Sequence, residues 1–284
     1  MSAHASETVS AAAPLVQVAD LRKVFPAARG SKNREGVVAV DGVSFELMPN
    51  ECLAIVGESG SGKTTVARMI VGLETVTSGQ VLLGGKDVTA APRSLASRRE
   101  RAREIQYVFQ DPYSSLNGRQ HIGDVIASNV KLHSRDTSRS ARAQAQEILD
   151  AVGLPERFFD RYPRELSGGQ RQRVAIARAL AAEPKVIVLD EAVAALDVSI
   201  QAQILNLLAD IRQQREVSYL FISHDLAVVN QISERMLVME NGKVVDQGNT
   251  AELLANPTHP YTRALRAAVP GPGWKPTRRE QLAS

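Results

Sequence analysis

The sequence predicts an α/β protein with a parallel core sheet, and three observations support that fold class. Short, fully apolar segments such as residues 52–56 and 186–189 are typical of strands buried on both faces, as in a parallel sheet. From residue 186 onward, strand and helix patterns alternate. Between residues 110 and 167 few β-branched runs occur, which favours helices. We therefore expect an N-terminal antiparallel β layer, an inserted α-helical subdomain and a C-terminal appendix around the core.

Periodicity and turn signals place the elements along the chain. Two N-terminal strands over residues 15–25 and 37–47 flank a loop rich in proline, glycine and charge. Asn241-Gly242 is a strong hairpin signal between the last two strands. The other predicted elements are strands over residues 52–56, 186–190, 218–223, 236–239 and 243–246, and helices over residues 63–71, 122–132, 139–152, 199–215 and 225–232.

Composition narrows the class of protein. The 284 residues are 44% hydrophobic and 23% charged, which is typical of a globular chain and not of a disordered one. One cysteine, Cys52, excludes an intramolecular disulfide and a cysteine-built zinc or iron–sulfur site. No run of 18 apolar residues and no basic N-terminal segment occur, so we expect a soluble, cytoplasmic protein with neither a membrane span nor a secretory signal.

Charge does not indicate a nucleic-acid partner. The formal net charge is only +3, because 34 basic residues nearly balance 31 acidic ones. A nucleic-acid binder more often carries a basic stripe with interleaved aromatic residues. The densest basic stretch, residues 93–103, holds five arginines and one glutamate. We expect it to form a solvated helix face.

A glycine-rich motif follows the apolar strand at residues 52–56. Residues 57–64, Gly-Glu-Ser-Gly-Ser-Gly-Lys-Thr, fit the pattern G-x-x-x-x-G-K-[ST] between a strand and a helix. Glycines let backbone N–H groups curl around phosphate oxygens, and the helix N-terminus adds its positive dipole end. Lys63 is expected to reach the β- and γ-phosphates and Thr64 to hold Mg²⁺. The predicted nucleotide contacts in this loop are Gly57, Ser59, Gly60, Ser61, Gly62, Lys63, Thr64 and Thr65.

Two carboxylates follow the second buried strand. Asp190 and Glu191 come directly after four apolar residues, at the strand end where open α/β sheets bind ligands. Asp190 is expected to order the Mg²⁺ shell through water, and Glu191 to polarise a water that attacks the γ-phosphate. Taken alone, the pair could cap a helix instead. Beside the phosphate loop, it predicts a nucleoside triphosphatase.

A third motif opens a helix in the middle of the chain. Residues 166–170, Leu-Ser-Gly-Gly-Gln, resemble the signature motif of ATP-binding cassette (ABC) ATPases. By its chemistry alone, Ser167 is a good N-cap, and the glycines expose backbone donors at a helix start. The resemblance implies a P-loop ABC ATPase fold and a head-to-tail dimer that sandwiches two ATP molecules. The residues expected to contact the partner's ATP are Ser167, Gly168, Gly169, Gln170 and Asp197.

The remaining family motifs occur in order and complete the expected site. Phe25 stands where an aromatic residue usually stacks on adenine, although alone it is equally typical of a core position. Gln110 resembles the glutamine that senses Mg²⁺ and links to the helical subdomain. His224 resembles the switch histidine that touches the γ-phosphate, although a lone histidine after a strand is usually structural. The resemblance thus implies a catalytic set of Glu191, His224 and Gln110, and Mg²⁺ contacts from Thr64, Gln110 and Asp190.

The C-terminal tail narrows the family. Residues 256–270 resemble the appendix of ATPases that serve oligopeptide, dipeptide and nickel importers. By its pattern alone, the tail is typical of a proline-broken amphipathic helix. Some members of that group hold an iron–sulfur cluster with cysteines in the appendix, but residues 257–284 contain no cysteine, so no cluster is expected. The predicted parts are a flexible leader (1–13), an ABC ATPase domain (14–256) with a helical subdomain at about 111–172, and a C-terminal extension (257–284).

The resemblance implies an ATP- and Mg²⁺-dependent motor on the cytoplasmic face of the membrane. The expected partners are two membrane permeases, a second and non-identical ABC ATPase and, indirectly, an extracytoplasmic binding protein for peptides, nickel or a related solute. A soluble ABC ATPase acting on ribosomes or DNA is the alternative, which a single cassette without sustained heptads disfavours. An exporter ATPase is disfavoured by the His-Pro-Tyr-Thr tail, and a GTPase by the lack of an Asn-Lys-x-Asp motif.

Overall fold

The computed structural model describes residues 13–26, 36–111, 116–134, 136 and 138–268. The predicted leader lies outside these residues except for Ala13, and so do most of the loop after Phe25 and residues 269–284 of the C-terminal extension. None of the helices in the described part of the chain combines the length and apolar character needed to cross a membrane.

The strands form two sheets. They are β1 (Val16–Phe25), β2 (Val37–Leu47), β3 (Cys52–Val56), β4 (Ser78–Leu83), β5 (Lys86–Asp87), β6 (Ile105–Val108), β7 (Val186–Asp190), β8 (Ser218–Ser223), β9 (Arg235–Glu240) and β10 (Lys243–Asn249). A six-stranded sheet has the order β10-β9-β3-β8-β7-β6, and only its β10–β9 pair is antiparallel. A four-stranded antiparallel sheet has the order β2-β1-β4-β5. The predicted parallel core and N-terminal antiparallel layer are confirmed.

Helices cover the faces of the core sheet and fill the middle of the chain. They are α1 (Lys63–Val71), α2 (Leu95–Glu104), α3 (Ile122–His133), α4 (Ala141–Ala151), α5 (Gly168–Leu180), α6 (Val198–Arg215), α7 (Leu226–Ile232), α8 (Thr250–Ala255) and α9 (Pro260–Ala267). Between α3 and α5 the described chain holds α4 and two short 3₁₀ segments (Glu156–Phe158 and Pro163–Glu165). This region contains the predicted helical insertion, whose boundaries at about 111 and 172 stay a prediction.

The core sheet separates two hydrophobic cores. On β3, Leu53 and Ile55 join the core shared with the antiparallel layer and α1, whereas Cys52, Ala54 and Val56 join the core under the other helices. All five side chains are at most 1% exposed. A strand buried on both faces has no polar side to mark it, which is why its sequence is an unbroken apolar run.

Three strands, the short helix α8 and one arginine differ from the sequence-based expectation. β4, β5 and β6 were not predicted. β4 begins with three exposed residues, β5 is a pair of exposed residues at the edge of its sheet, and β6 has four residues. The basic stretch forms α2, as expected, with Arg98 and Arg99 exposed. Arg101 is buried, so a fully solvated face was wrong there: its guanidinium turns inward and donates to the Val88 carbonyl.

Candidate nucleotide-binding site

The phosphate loop connects the carboxyl end of β3 to α1. Two of its glycines lie where no side chain fits. A Cβ atom on Gly57 would stand 2.2 Å from the Met239 carbonyl oxygen, and one on Gly62 would stand 2.4 Å from the Ala39 carbonyl oxygen. Gly62 also has a φ of 104°, which L-residues rarely adopt. The loop is therefore held closely between β2 and β9, with Ser59 and Gly60 exposed at its tip.

The turn of the β9–β10 hairpin contacts the phosphate loop and supports it. Asn241 and Gly242 both have positive φ, 49° and 83°, as a two-residue hairpin turn requires. The Gly242 N–H donates to the Ser61 carbonyl at 3.0 Å, and the Gly242 carbonyl accepts from the Asp41 N–H at 2.8 Å. The predicted hairpin is confirmed, and its turn also fixes the phosphate loop against β2.

Lys63 lies inside the loop. Its ammonium donates to the carbonyl oxygens of Gly57 and Glu58, both at 2.8 Å. Burial lowers the pKa of Lys63, while the carboxylates of Glu191 and Asp190 act in the opposite direction. A cation so placed can exchange two carbonyl partners for phosphate oxygens, which bind it more strongly because they are charged.

The start of α1 provides backbone donors. Its N-cap is Gly62, and no side chain caps the first turn, which contains Thr64 and Thr65. The first amides of a helix have no intrahelical acceptor and carry the positive end of the helix dipole. Together with the buried ammonium of Lys63, these donors fit a polyphosphate.

Asp190 ends β7 and is held by two hydroxyls. Thr64 Oγ1 donates to Oδ1 at 3.1 Å, and the Tyr107 hydroxyl donates to Oδ2 at 2.5 Å. Burial, reinforced by the neighbouring carboxylate, raises the pKa of Tyr107, so the phenol stays protonated as a donor. The sequence did not indicate Tyr107, because a tyrosine within a short apolar strand is typical of a core position.

Glu191 meets the ends of the two strands that flank β7. Gln110, which follows β6, donates from Nε2 to Oε2 of Glu191 at 2.9 Å. His224, which follows β8, lies with Nδ1 3.3 Å from Oε1. Glu191 itself has a φ of 48°, a strained conformation that turns its side chain toward these partners. The three residues of the predicted catalytic set thus come together at one edge of the sheet.

Two of the three residues predicted to contact Mg²⁺, Thr64 and Asp190, lie together in the structure. Among the described residues no group of three or more His, Cys, Asp and Glu side chains could hold a metal ion. The Thr64 hydroxyl and the Asp190 carboxylate form an oxygen pair that fits Mg²⁺, which commonly takes one or two protein ligands and completes its shell with phosphate oxygens and water. Direct contact of Gln110 with the ion stays a prediction.

Phe25 is the last residue of β1, a strand of the antiparallel sheet. Its side chain is 37% exposed, and the Lys23 ammonium lies 4.8 Å from its ring centroid. An exposed ring at the end of β1 is consistent with a stacking surface and not with a core position. Stacking on adenine stays a prediction.

The signature residues lie at the start of α5 against the loop that carries Asp197. Ser167 and Gln170 form a reciprocal capping box, with Gln170 Oε1 accepting from the Ser167 N–H at 3.0 Å. Asp197 caps α6 by accepting from the Ile200 N–H at 3.0 Å, a bond that lowers the pKa of its carboxyl group. A Cβ on Gly169 would stand 2.5 Å from Ile200 Cγ2, and one on Gly168 would contact Leu196. These contacts place both motifs on one surface, and their action in trans stays a prediction.

Comparison with known proteins now decides the family. A family model described as "ABC transporter" matches residues 40–194, which is more than half of the chain. The chain belongs to the ABC transporter family. This stretch of the ABC chain contains the phosphate loop, Gln110, the signature residues, Asp190 and Glu191.

Relatives and solved structures agree with this assignment. The ABC chain is 48% identical over 267 residues to the glutathione import ATP-binding proteins GsiA of Escherichia coli K12 and Shigella flexneri. The match covers 93% of this chain, but the chain spans only 42% of the length of those relatives. The dimeric ATP-binding cassette MJ0796 in a post-hydrolysis state bound to ADP and Pi has a TM-score of 0.72 at 28% identity, covering 83% of this chain and 98% of that one.

A second solved structure is that of a protein described as part of an ABC transporter complex. CbiO1 of Clostridium perfringens, part of the ABC transporter complex CbiONQ, has a TM-score of 0.73 at 28% identity, covering 86% of this chain and 91% of that one. The predicted ABC cassette fold is confirmed.

Proposed function

We propose that the chain is the ATP-hydrolysing subunit of an ABC importer for small peptides. The observation that carries the proposal is the convergence of the phosphate loop, Asp190 and the Glu191 cluster at the carboxyl ends of adjacent parallel strands. The relatives' printed activity, ATP-binding in glutathione import, agrees with this chemistry. Since glutathione is a tripeptide, it is the first solute to test.

Each group at the sheet edge has a distinct task in hydrolysis. Lys63 and the first amides of α1 bind and orient the phosphates of ATP. Mg²⁺, held beside Thr64 and Asp190, would neutralise charge on the phosphates. Glu191 accepts a proton from the attacking water, and its two oxygens are oriented by Gln110 and His224. His224, whose side chain is 56% exposed, is free to turn toward a γ-phosphate.

The site is proposed to be completed by a second ATPase subunit. Ser167 to Gln170 and Asp197 lie on one surface and are held by their own caps, as a preformed binding surface requires. The predicted head-to-tail dimer places this surface over the partner's phosphate loop. A dimeric arrangement is recorded for the cassette MJ0796, to which this chain is similar.

Coupling to the membrane is proposed to use a cavity lined by Phe109, the residue before Gln110. The cavity has a volume of about 790 Å³ and lies between the end of α1, α2, β6 and α3. Apolar side chains and arginines line it together, which suits an amphipathic segment of a permease. The lining includes Leu73, Pro92, Arg101, Tyr107, Gln120 and Val125.

The proposed assembly follows from the tail and the relatives. It contains two permeases, a second and non-identical ABC ATPase and an extracytoplasmic binding protein, and this subunit is peripheral on the cytoplasmic face. The solute would be bound by those partners and not by this chain. Nickel remains within the range of solutes that the resemblance of residues 256–270 implies.

A single variant tests the activity. In Glu191→Gln the carboxylate that accepts the proton becomes an amide, so we expect ATP binding to persist and phosphate release to fall by about 100-fold or more. Titration calorimetry measures the binding, and release of inorganic phosphate measures the rate. Glu252→Gln on the exposed face of α8 is the matched control and should hydrolyse ATP like the wild type. Near-normal release from Glu191→Gln would rule out this role for Glu191.

The same variant tests the assembly. Glu191→Gln, tagged and expressed in its own host, would be solubilised gently with ATP and Mg²⁺, and copurifying proteins identified by mass spectrometry. Two permeases and a sibling ATPase would support the importer, and the associated binding protein could be screened against glutathione, other peptides and nickel. Ribosomal or DNA-associated proteins without a permease would contradict transport and leave the ATPase assignment intact.

A further inference from the structure

The start of the C-terminal extension returns to the phosphate loop. The backbone N–H of Glu58, the second residue of the loop, donates to the Tyr261 hydroxyl at 2.9 Å. These residues are 203 positions apart in the chain. The carbonyl oxygen of Glu58 accepts from the Lys63 ammonium at 2.8 Å. The backbone of Glu58 is thus held on one side by the extension and on the other by the phosphate-binding lysine.

Hydrogen bonds and apolar packing anchor the start of the extension to the rest of the chain, and they hold Tyr261 in place. Asp246 of β10 accepts hydrogen bonds from the hydroxyls of Thr258, at 3.2 Å, and Thr262, at 3.0 Å. Thr262 is fully buried. Tyr261 and Leu265, on α9, pack against the core under the helices. Because these contacts already order α9, Tyr261 can hold the phosphate loop in place with little further loss of conformational freedom.

We propose that Tyr261 is a positioning residue that fixes the phosphate loop in its ATP-binding conformation through the Glu58 amide. This inference rests on the proposed function. When a triphosphate binds, Lys63 exchanges the loop carbonyls for phosphate oxygens, and the loop loses two internal bonds. The bond from Glu58 to Tyr261 does not involve Lys63 and therefore remains available to hold the loop. The extension then contributes to nucleotide affinity without touching the nucleotide.

The expected effect is selective. Tyr261→Phe keeps the ring and its packing but removes the acceptor for the Glu58 N–H. Losing one such bond weakens binding by about threefold to tenfold. The Tyr261 hydroxyl bonds the phosphate loop at Glu58, whereas Asp190 is held by Thr64 and Tyr107, and Glu191 by Gln110 and His224. We therefore expect the KM for ATP to rise in proportion to the Kd, while the rate at saturating ATP falls much less.

The experiment compares three full-length proteins. Mg²⁺–ATP is titrated by calorimetry into the wild type, Tyr261→Phe and Tyr162→Phe, and the melting temperature without nucleotide is measured for each. Tyr162 is the matched control, a half-buried tyrosine of the helical region whose ring lies 4.2 Å from that of His121. A weaker Kd in Tyr261→Phe alone, at an unchanged melting temperature, supports the proposal. An unchanged Kd, or a loss of affinity that accompanies a lower melting temperature, overturns it.

A second variant, at the neighbouring residue Thr262, tests the same contact between Tyr261 and Glu58. Thr262→Val removes the buried hydroxyl that donates to Asp246, and this weakens the anchoring of the helix that carries Tyr261. In the Tyr261→Phe background, Thr262→Val should weaken Mg²⁺–ATP binding no further, since the bond it acts through is already absent. Additive losses would overturn the proposal. A wild type that fails to bind ATP would instead contradict the proposed function itself, and so the two failures are distinguishable.

Discussion

The Tyr107 hydroxyl donates to one oxygen of Asp190 at 2.5 Å, while Thr64 donates to the other at 3.1 Å. Asp190 is 4% exposed, so these two hydroxyls offset much of the cost of burying a carboxylate. Tyr107 also lines the large cavity, and its ring centroid lies 4.7 Å from that of Phe109. One side chain therefore joins the proposed permease contact to Asp190, the carboxylate predicted to order the metal.

Tyr107→Phe should raise the Mg²⁺ requirement. Without the phenol, Oδ2 of Asp190 loses a buried partner, which costs about 1–3 kcal/mol and leaves the carboxylate less well oriented toward the ion. The Mg²⁺ concentration for half-maximal ATP hydrolysis is expected to rise severalfold. The matched control is Tyr219→Phe, which removes a buried hydroxyl bond to the Leu208 carbonyl. Tyr219 lies near the start of β8, whereas Asp190 pairs with Ile222 near the end of that strand. If both variants gave the wild-type Mg²⁺ curve, Tyr107 would have no part in orienting Asp190.

Lys63→Ala should weaken nucleotide binding. The variant removes a buried ammonium, and a charge-assisted bond of this kind contributes about 1.5–3 kcal/mol, or roughly a tenfold to hundredfold change in Kd. Titration calorimetry with ATP measures the change. Lys86→Ala is the control, because Lys86 is exposed on β5 and pairs with Glu100. Equal ATP affinity in Lys63→Ala and Lys86→Ala would contradict the assignment of the phosphate loop.

The parts of the fold that could be predicted are those with short-range causes. β3, β7 and β8 begin and end at the predicted residues, because apolar runs between polar or glycine-rich segments mark strands buried on both faces. Helix α1 begins at the predicted residue, Lys63, because the glycine-rich motif before it marks the helix start within a few residues. The Asn241-Gly242 turn is specified by two residues that tolerate positive φ.

The parts that could not be predicted depend on distant contacts. β4 has three exposed residues at its start, and its pairing with β1 fixes it in place. Arg101 belongs to a basic stretch that is typical of a solvated face, and it is buried by packing against residues outside its helix. The predicted site residues of the loop and of the carboxylate cluster do converge. Tyr107 and Tyr261, which hold them, carry no local signal because their partners are 83 and 203 positions away.

Acid should destabilise the protein through His133 at the end of α3. His133 is 7% exposed, and within the described part of the chain its Nδ1 is buried without a hydrogen-bond partner. Burial lowers the pKa of His133 below its ordinary value of 6.5, and the positive charges of Arg103 and Arg99 act in the same direction. The unfolded chain therefore binds this proton more readily than the folded one. Stability from this group is complete above about pH 6.5 and is lost as the pH falls below that value.

Urea unfolding at several pH values between about pH 7 and 5.5 checks this sign. In the wild type the free energy of unfolding should fall with the pH across this window. His133→Gln should show a shallower fall, because it has no proton to take up. His121→Gln is the matched control, since His121 is the N-cap residue of the same helix and is half-exposed. If His133→Gln lost stability with pH as steeply as the wild type and His121→Gln, the buried imidazole would not be the group responsible.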